Sequence, residues 1–169
     1  MNDRNEMADR LERTILRMTE AAKRPVLQST GPHHFQMDEW ISCAPFESLL
    51  HMEIVEAAHG EAVLTMPFLI DFAQGGKLMH GGALVSLADT AVVMAIKSII
   101  APNSHFATIS LEAKYLAPVK KGILTARAKV IGREDRILKG EASIFDDEGK
   151  KVMEFSSVFK IARNTRIAE

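Results

Sequence analysis

"MHGGALVSLADTA", residues Met79 to Ala91, decides how this chain can fold. Two glycines, Gly81 and Gly82, open a run in which Ala83, Leu84, Val85, Leu87, Ala88 and Ala91 leave little polar surface on any side. The spacing predicts a helix from about Gly81 to about Ser98. A helix apolar all round has to be enclosed by other elements. Yet eight residues after Gly81 it carries Asp89, and a carboxylate inside a protein is costly unless it is paired or used. The stretch therefore raises two questions: what surrounds the helix, and what the aspartate does.

Strands supply the surroundings. Upstream, His51–Glu56 and Glu61–Phe68 read as two strands joined at His59-Gly60, and "LIDFAQGGKLM" then reads as a loop. Met37 to Leu50 predicts short helical turns interrupted at Pro45. Downstream, four segments alternate with the period of a half-buried antiparallel strand. In the first, Ala107, Ile109, Leu111, Ala113 and Tyr115 share one face and Thr108, Ser110, Glu112 and Lys114 the other. Leu124, Ala126, Ala128 and Val130 mark the second, Leu138, Ala142 and Ile144 the third, Met153, Phe155, Phe159 and Ile161 the fourth. "DDEG", Asp146 to Gly149, has hairpin-turn chemistry, and Gly132 to Arg136 predicts a wider turn. The only large element able to enclose the helix is one sheet, which gives an α+β domain with an antiparallel sheet wrapped around a central helix.

Ahead of it, Asn2 to Lys23 predicts a helix with Met7, Leu11 and Met18 along a charged cylinder, and "RPVLQSTGPHHF" a linker. The expected organisation is an N-terminal helical extension and linker over 1–43, the domain over 44–163, and a tail over 164–169.

Composition narrows the function classes. A net charge of −1 over 169 residues gives no basic face for nucleic acid. The lone Cys43 excludes an intrachain disulfide, and the charged N-terminus is no signal peptide, so the expected location is the cytoplasm. Ala83 to Ala101 has the apolarity of a membrane span, but Asp89 and Lys97 interrupt it. The adjacent His33 and His34 lack carboxylate or cysteine partners at ligand spacing, so no metal is expected.

The glycines and the aspartate suggest chemistry when taken together. The first N–H groups of a helix have no intrahelical acceptor and carry the positive end of the dipole. Glycine there lets a ligand approach, and such a site can hold an oxyanion. Asp89 could generate that oxyanion by direct attack on a carbonyl or by activating water. Eight residues of helix rise roughly 12 Å, however, whereas a reacting carbonyl needs both groups within about 3 Å. Gly81 and Asp89 of one chain cannot serve one carbonyl, so catalysis requires a dimer that joins Gly81 of one protomer to Asp89 of another. The alternative is a structural Asp89, bonded to Ser86 or to a neighbouring loop.

"HGGALVSLADTA", together with "ISLEAKYLAPVKKG" from Ile109 to Gly122, resembles the hotdog-fold thioesterases, in the branch typified by the phenylacetate-pathway (PaaI-like) enzyme. The resemblance spans roughly Ala44 to Ala162. It implies a hydrolase of acyl-CoA thioesters without metal or redox cofactor, coenzyme A being part of the substrate. Asp89 is then nucleophile or general base, the Gly81 N–H the oxyanion donor with Gly82 beside it, and His80 shapes the pocket. Thr108 falls where such enzymes hold the attacking water. Gln74 falls where asparagine is common, one methylene longer. The resemblance further implies dimers that pair into tetramers. Lys120, Lys121, Arg133 and Arg136, on two turns expected near the pocket mouth, are the candidates for coenzyme A phosphates.

Two other functions fit the fold. A non-catalytic acyl-CoA-binding module is one. An acyl-thioester hydratase or dehydratase is the other, and it would call for a catalytic histidine with a carboxylate on a differently patterned helix.

Overall fold

The computed structural model describes Met37 and residues 39–163. The predicted N-terminal helix, most of the linker with its histidine pair, and the C-terminal tail lie outside the described residues. The described elements run α1 (Pro45–Leu49), β1 (Glu53–Ala58), β2 (Glu61–Pro67), a 3-10 turn (Ile70–Phe72), α2 (Gly81–Lys97), β3 (Phe106–Tyr115), β4 (Ile123–Glu134), β5 (Ile137–Phe145) and β6 (Lys151–Ile161). The strands form one antiparallel sheet in the order β1-β2-β4-β5-β6-β3. Helix α2 packs across its inner face, against β1, β2, β4, β5 and β6. This is the hotdog fold.

Alternation places the core as expected. Leu124, Ala126 and Ala128 of β4, Leu138, Ala142 and Ile144 of β5, and Met153, Phe155, Phe159 and Ile161 of β6 are all buried against α2. Gly140, cross-strand from Ser157, lets the helix come this close: a Cβ there would run into Val92 of α2. Burial of these side chains removes apolar surface from water at about 25 cal/mol per Å², which holds the helix to the sheet. At the far end of α2, the β1–β2 turn places His59 and Gly60 at φ 52° and 82°, the left-handed geometry of a two-residue hairpin. The Gly60 N–H then donates to Ser98 Oγ at 2.8 Å and ties that hairpin to the helix end.

Several expectations change. Pro45 does not interrupt a helical turn; it opens α1, where its missing N–H has no consequence. The wide turn expected over Gly132–Arg136 narrows to Asp135 and Arg136, with Asp135 at φ 50°, and Gly132 instead lies in β4 beside a bulge. Contacts also reach upstream of residue 44. Trp40 donates from Nε1 to the Lys97 carbonyl at 2.9 Å, and Cys43 donates from Sγ to the Met52 carbonyl at 3.4 Å.

Most consequential, α2 is not enclosed all round. Leu84, Leu87, Ala88, Ala91, Val92, Ala95 and Ile96 are buried, but a stripe at helical spacing stays open: Gly82 is exposed, and Ser86, Asp89, Val93 and Lys97 are half-buried. Beside this stripe lies β3, an edge strand with Ile109 56%, Leu111 48% and Tyr115 54% exposed. The strand runs ten residues without proline, and these apolar side chains stand beside Glu112 and Lys114 on an edge open to another strand.

Candidate active site

Asp89 stands halfway along α2, on the open stripe. Its carboxylate accepts from Thr108 Oγ1, 3.2 Å from Oδ2 and 3.3 Å from Oδ1. Strict alternation places Thr108 on the face opposite Leu111, Ala113 and Tyr115; the structure places all four on one face. A bulge between Thr108 and Ser110 inserts an extra residue, so Thr108 is paired with Phe159, Leu111 with Ser157, Ala113 with Phe155 and Tyr115 with Met153. The bulge thus aims the Thr108 hydroxyl at the helix. Ser86 is not the partner of Asp89, since its hydroxyl turns back to the Gly82 carbonyl at 2.9 Å. Burial pushes the Asp89 carboxyl above the ordinary carboxylate range, and the Thr108 hydrogen bond opposes that rise.

The other half of the candidate chemistry is the start of α2. His80 is the N-cap, and its Nδ1 accepts from the Gly82 N–H at 2.9 Å. Accepting there puts the proton of a neutral imidazole on Nε2. The His80 carbonyl accepts from Ala83 and Leu84. Of the first four N–H groups, Gly81 alone has no acceptor among the described residues. Gly81 is the residue whose N–H the resemblance names as oxyanion donor.

Tyr115 was not foreseen. A methyl group on Gly81 would lie 2.8 Å from the Tyr115 hydroxyl, so the exposed ring at the end of β3 would have to shift to admit one. Its placement depends on the same bulge that inverts the strand, which no periodic reading includes.

The remaining candidates are dispersed. Gln74 lies in a tight turn closed by an Ala73–Met79 bridge, and its Oε1 accepts from the Gly76 N–H at 2.6 Å. That turn is fastened beside His80, because Met79 N donates to the Val119 carbonyl and His80 N to the Phe72 carbonyl. Lys120 and Lys121 follow Val119 and so belong to the Gly81 end of the helix; Lys121 sits 3.8 Å from Glu148. Arg133 and Arg136 occupy the opposite end of β4, on the order of 35 Å away at strand rise. Arg136 donates to the Ile161 carbonyl at 3.2 Å and lies 3.7 Å from the Asp135 carboxylate. One protomer does not bring the two basic pairs to a single mouth. Cys43 is packed, and burial raises its thiol pKa. Among the described residues no three His, Cys, Asp or Glu side chains cluster as metal ligands, and no helix is long and apolar enough to cross a membrane.

Residues 76–153, which hold the helix, β3, β4, β5 and the start of β6, match the family model described as the thioesterase superfamily. The Pasteurella multocida protein named "Putative esterase PM0788" is 35% identical over 103 residues, 60% of this chain and 74% of that one. Among solved structures, the PaaI protein of the E. coli phenylacetic acid degradation operon is 27% identical with a TM-score of 0.66, covering 72% of this chain and 87% of its own. Thioesterase HI1161 of Haemophilus influenzae is 26% identical with a TM-score of 0.65, covering 69% and 82%. The family-model match, with 35% identity to a relative of which this chain covers 74%, places the chain in the thioesterase superfamily.

Proposed function

We propose that this protein hydrolyses acyl-CoA thioesters as a homodimer, each site formed by Asp89 of one protomer and the Gly81 N–H of its partner. The observation that carries the reading is the half-buried Asp89–Thr108 pair on the uncovered stripe of α2. A carboxylate held at the edge of its own fold, without a cation within ion-pair distance among the described residues, is arranged for use rather than for stability. Its position two turns from Gly81 requires the second chain.

The reaction consumes one water. As general base, Asp89 takes a proton from water positioned by the Thr108 hydroxyl, and the water oxygen bonds to the thioester carbon. As nucleophile, an Asp89 oxygen bonds to that carbon first, and water then hydrolyses the acyl-aspartate anhydride. In both routes the carbonyl oxygen becomes an oxyanion at the Gly81 N–H, at the positive end of α2, and the carbon–sulfur bond breaks to release the coenzyme A thiolate. A thiolate is a competent leaving group near neutral pH, so no separate acid is required. His80 holds the helix start in place, and Lys120 and Lys121, beside it, are the basic residues suited to a coenzyme A phosphate.

The test is thiol release from a panel of acyl-CoAs across pH. Only the carboxylate form of Asp89 acts, so kcat/KM rises with pH through its pKa, and burial sets that acid limb above the ordinary carboxylate range. The Thr108 hydrogen bond lowers this pKa. Thr108→Val should therefore move the limb to higher pH as well as reduce the rate. A limb that stays fixed or moves down in the variant contradicts the assignment, and acyl-CoA binding without thiol release replaces the enzyme with a binding module.

A further inference from the structure

A cavity of about 290 Å³ opens from the Thr108 side of the site and runs along the C-terminal half of α2. Thr108 stands at its near end. Val93, Phe106 and Phe159 form apolar walls, and Trp40 and Lys97 close the far end. Asp89, Val93 and Lys97 follow one another at successive helical turns on the same open stripe, so Lys97 lies roughly 12 Å of helix rise beyond the aspartate. Volume and lining suit a short to medium acyl chain, at the small end of ligand cavities.

The far end is unusual in being cationic. Lys97 Nζ sits 5.0 Å from the Trp40 ring centroid, over its face, and the Trp40 indole is fixed in turn by its bond to the Lys97 carbonyl. No carboxylate lies within ion-pair distance of Lys97 among the described residues. Glu47 attracts it at longer range, but Glu47 does not line the cavity, whose titratable walls are Lys97 and His105. Burial disfavours the charged ammonium. An anion arriving through the cavity would supply the partner it lacks.

We propose that the acyl pocket of this enzyme takes chains ending in a carboxylate, monothioesters of medium-length dicarboxylic acids, with Lys97 on its Trp40 platform as the specificity-determining contact. This rests on the thioesterase reading above and names the substrate class of that same site. The thioester carbon is held at Asp89, the methylene chain lies against Val93, Phe106 and Phe159, and the terminal carboxylate meets the Lys97 ammonium.

The experiment compares thiol release from adipoyl- and suberoyl-CoA with release from hexanoyl- and octanoyl-CoA. Wild type should prefer the carboxylate series in kcat/KM. Lys97→Met, which keeps the apolar stem, should lower that preference roughly 10- to 100-fold, the range of a charge-assisted hydrogen bond. Lys97→Arg should retain most of it. Hydrolysis of the neutral esters by Lys97→Met should hold or improve, which separates a contact with substrate from a structural role that would lower both series together. Equal or better turnover of the neutral esters by wild type, or a parallel loss of both series in Lys97→Met, overturns the assignment while leaving thioesterase activity intact. Absence of thiol release from every ester overturns both.

Discussion

Asp89→Asn should lower kcat for thioester hydrolysis by roughly 10²- to 10⁴-fold, the contribution of a positioned general base, while the protein remains folded. The amide keeps the shape of the side chain and can still accept from Thr108, so the loss reads out the charge alone. Stability should move the other way. The folded state raises the Asp89 pKa, so protonation favours the fold and the ionised form opposes it. That contribution is fully present below the unfolded-state pKa and is lost as pH rises through the folded one. At neutral pH the wild-type carboxylate therefore destabilises the domain, and asparagine removes the penalty. The melting temperature of Asp89→Asn should equal or exceed that of wild type at pH 7, and the gap should close as pH falls below the carboxylate range. Such an exchange of stability for activity is common at catalytic groups. A variant that loses stability and activity together would make Asp89 a structural residue.

The second large effect concerns β3. Its edge exposes Ile109 and Leu111 beside the helix stripe that carries Asp89, and in the proposed dimer these residues are expected to be covered. Ile109→Lys/Leu111→Lys places two charges on that edge, the device by which natural edge strands avoid pairing. Neither side chain is buried in the protomer, so the fold should survive. The expected result is a monomer by sedimentation, with kcat/KM reduced at least about 10²-fold through loss of the partner's oxyanion donor. A monomer with wild-type activity would show that one chain suffices.

The sequence discloses the frame of this molecule through period and turn chemistry. Leu124, Ala126 and Ala128, or Met153, Phe155 and Phe159, alternate cleanly because one side of each strand meets the core and the other meets water. The His59-Gly60 turn is equally legible, since both residues adopt positive φ. The bulge after Thr108 is not, because one added residue inverts the pattern without changing composition. That single local event brings Thr108 to Asp89 and Tyr115 to Gly81. The open stripe is hidden for a different reason. Val85 and Val93 are as apolar as Leu87 and Val92, and apolarity alone does not distinguish a face covered by the chain's own sheet from one left open. Gly81 and Asp89 are conspicuous as residue types, whereas the selection of the Gly81 N–H depends on which neighbours His80 occupies. As turn charges Arg133 and Arg136 look like Lys120 and Lys121 in the sequence, and the length of β4 separates the two pairs.

The most direct measurement uses mixed dimers. Asp89→Asn chains lack the carboxylate, and Gly81→Ala chains carry a methyl group that obstructs the approach to an N–H that alanine keeps. Each is first assayed to establish that the homodimer is inactive, and the two are then unfolded, combined in equal amounts and refolded together. If each site takes its carboxylate from one chain and its N–H from the other, every heterodimer regains one intact site, and the mixture recovers roughly a quarter of wild-type activity. A mixture that forms heterodimers yet stays inactive would mean that both groups act within one chain, and the shared site would be wrong.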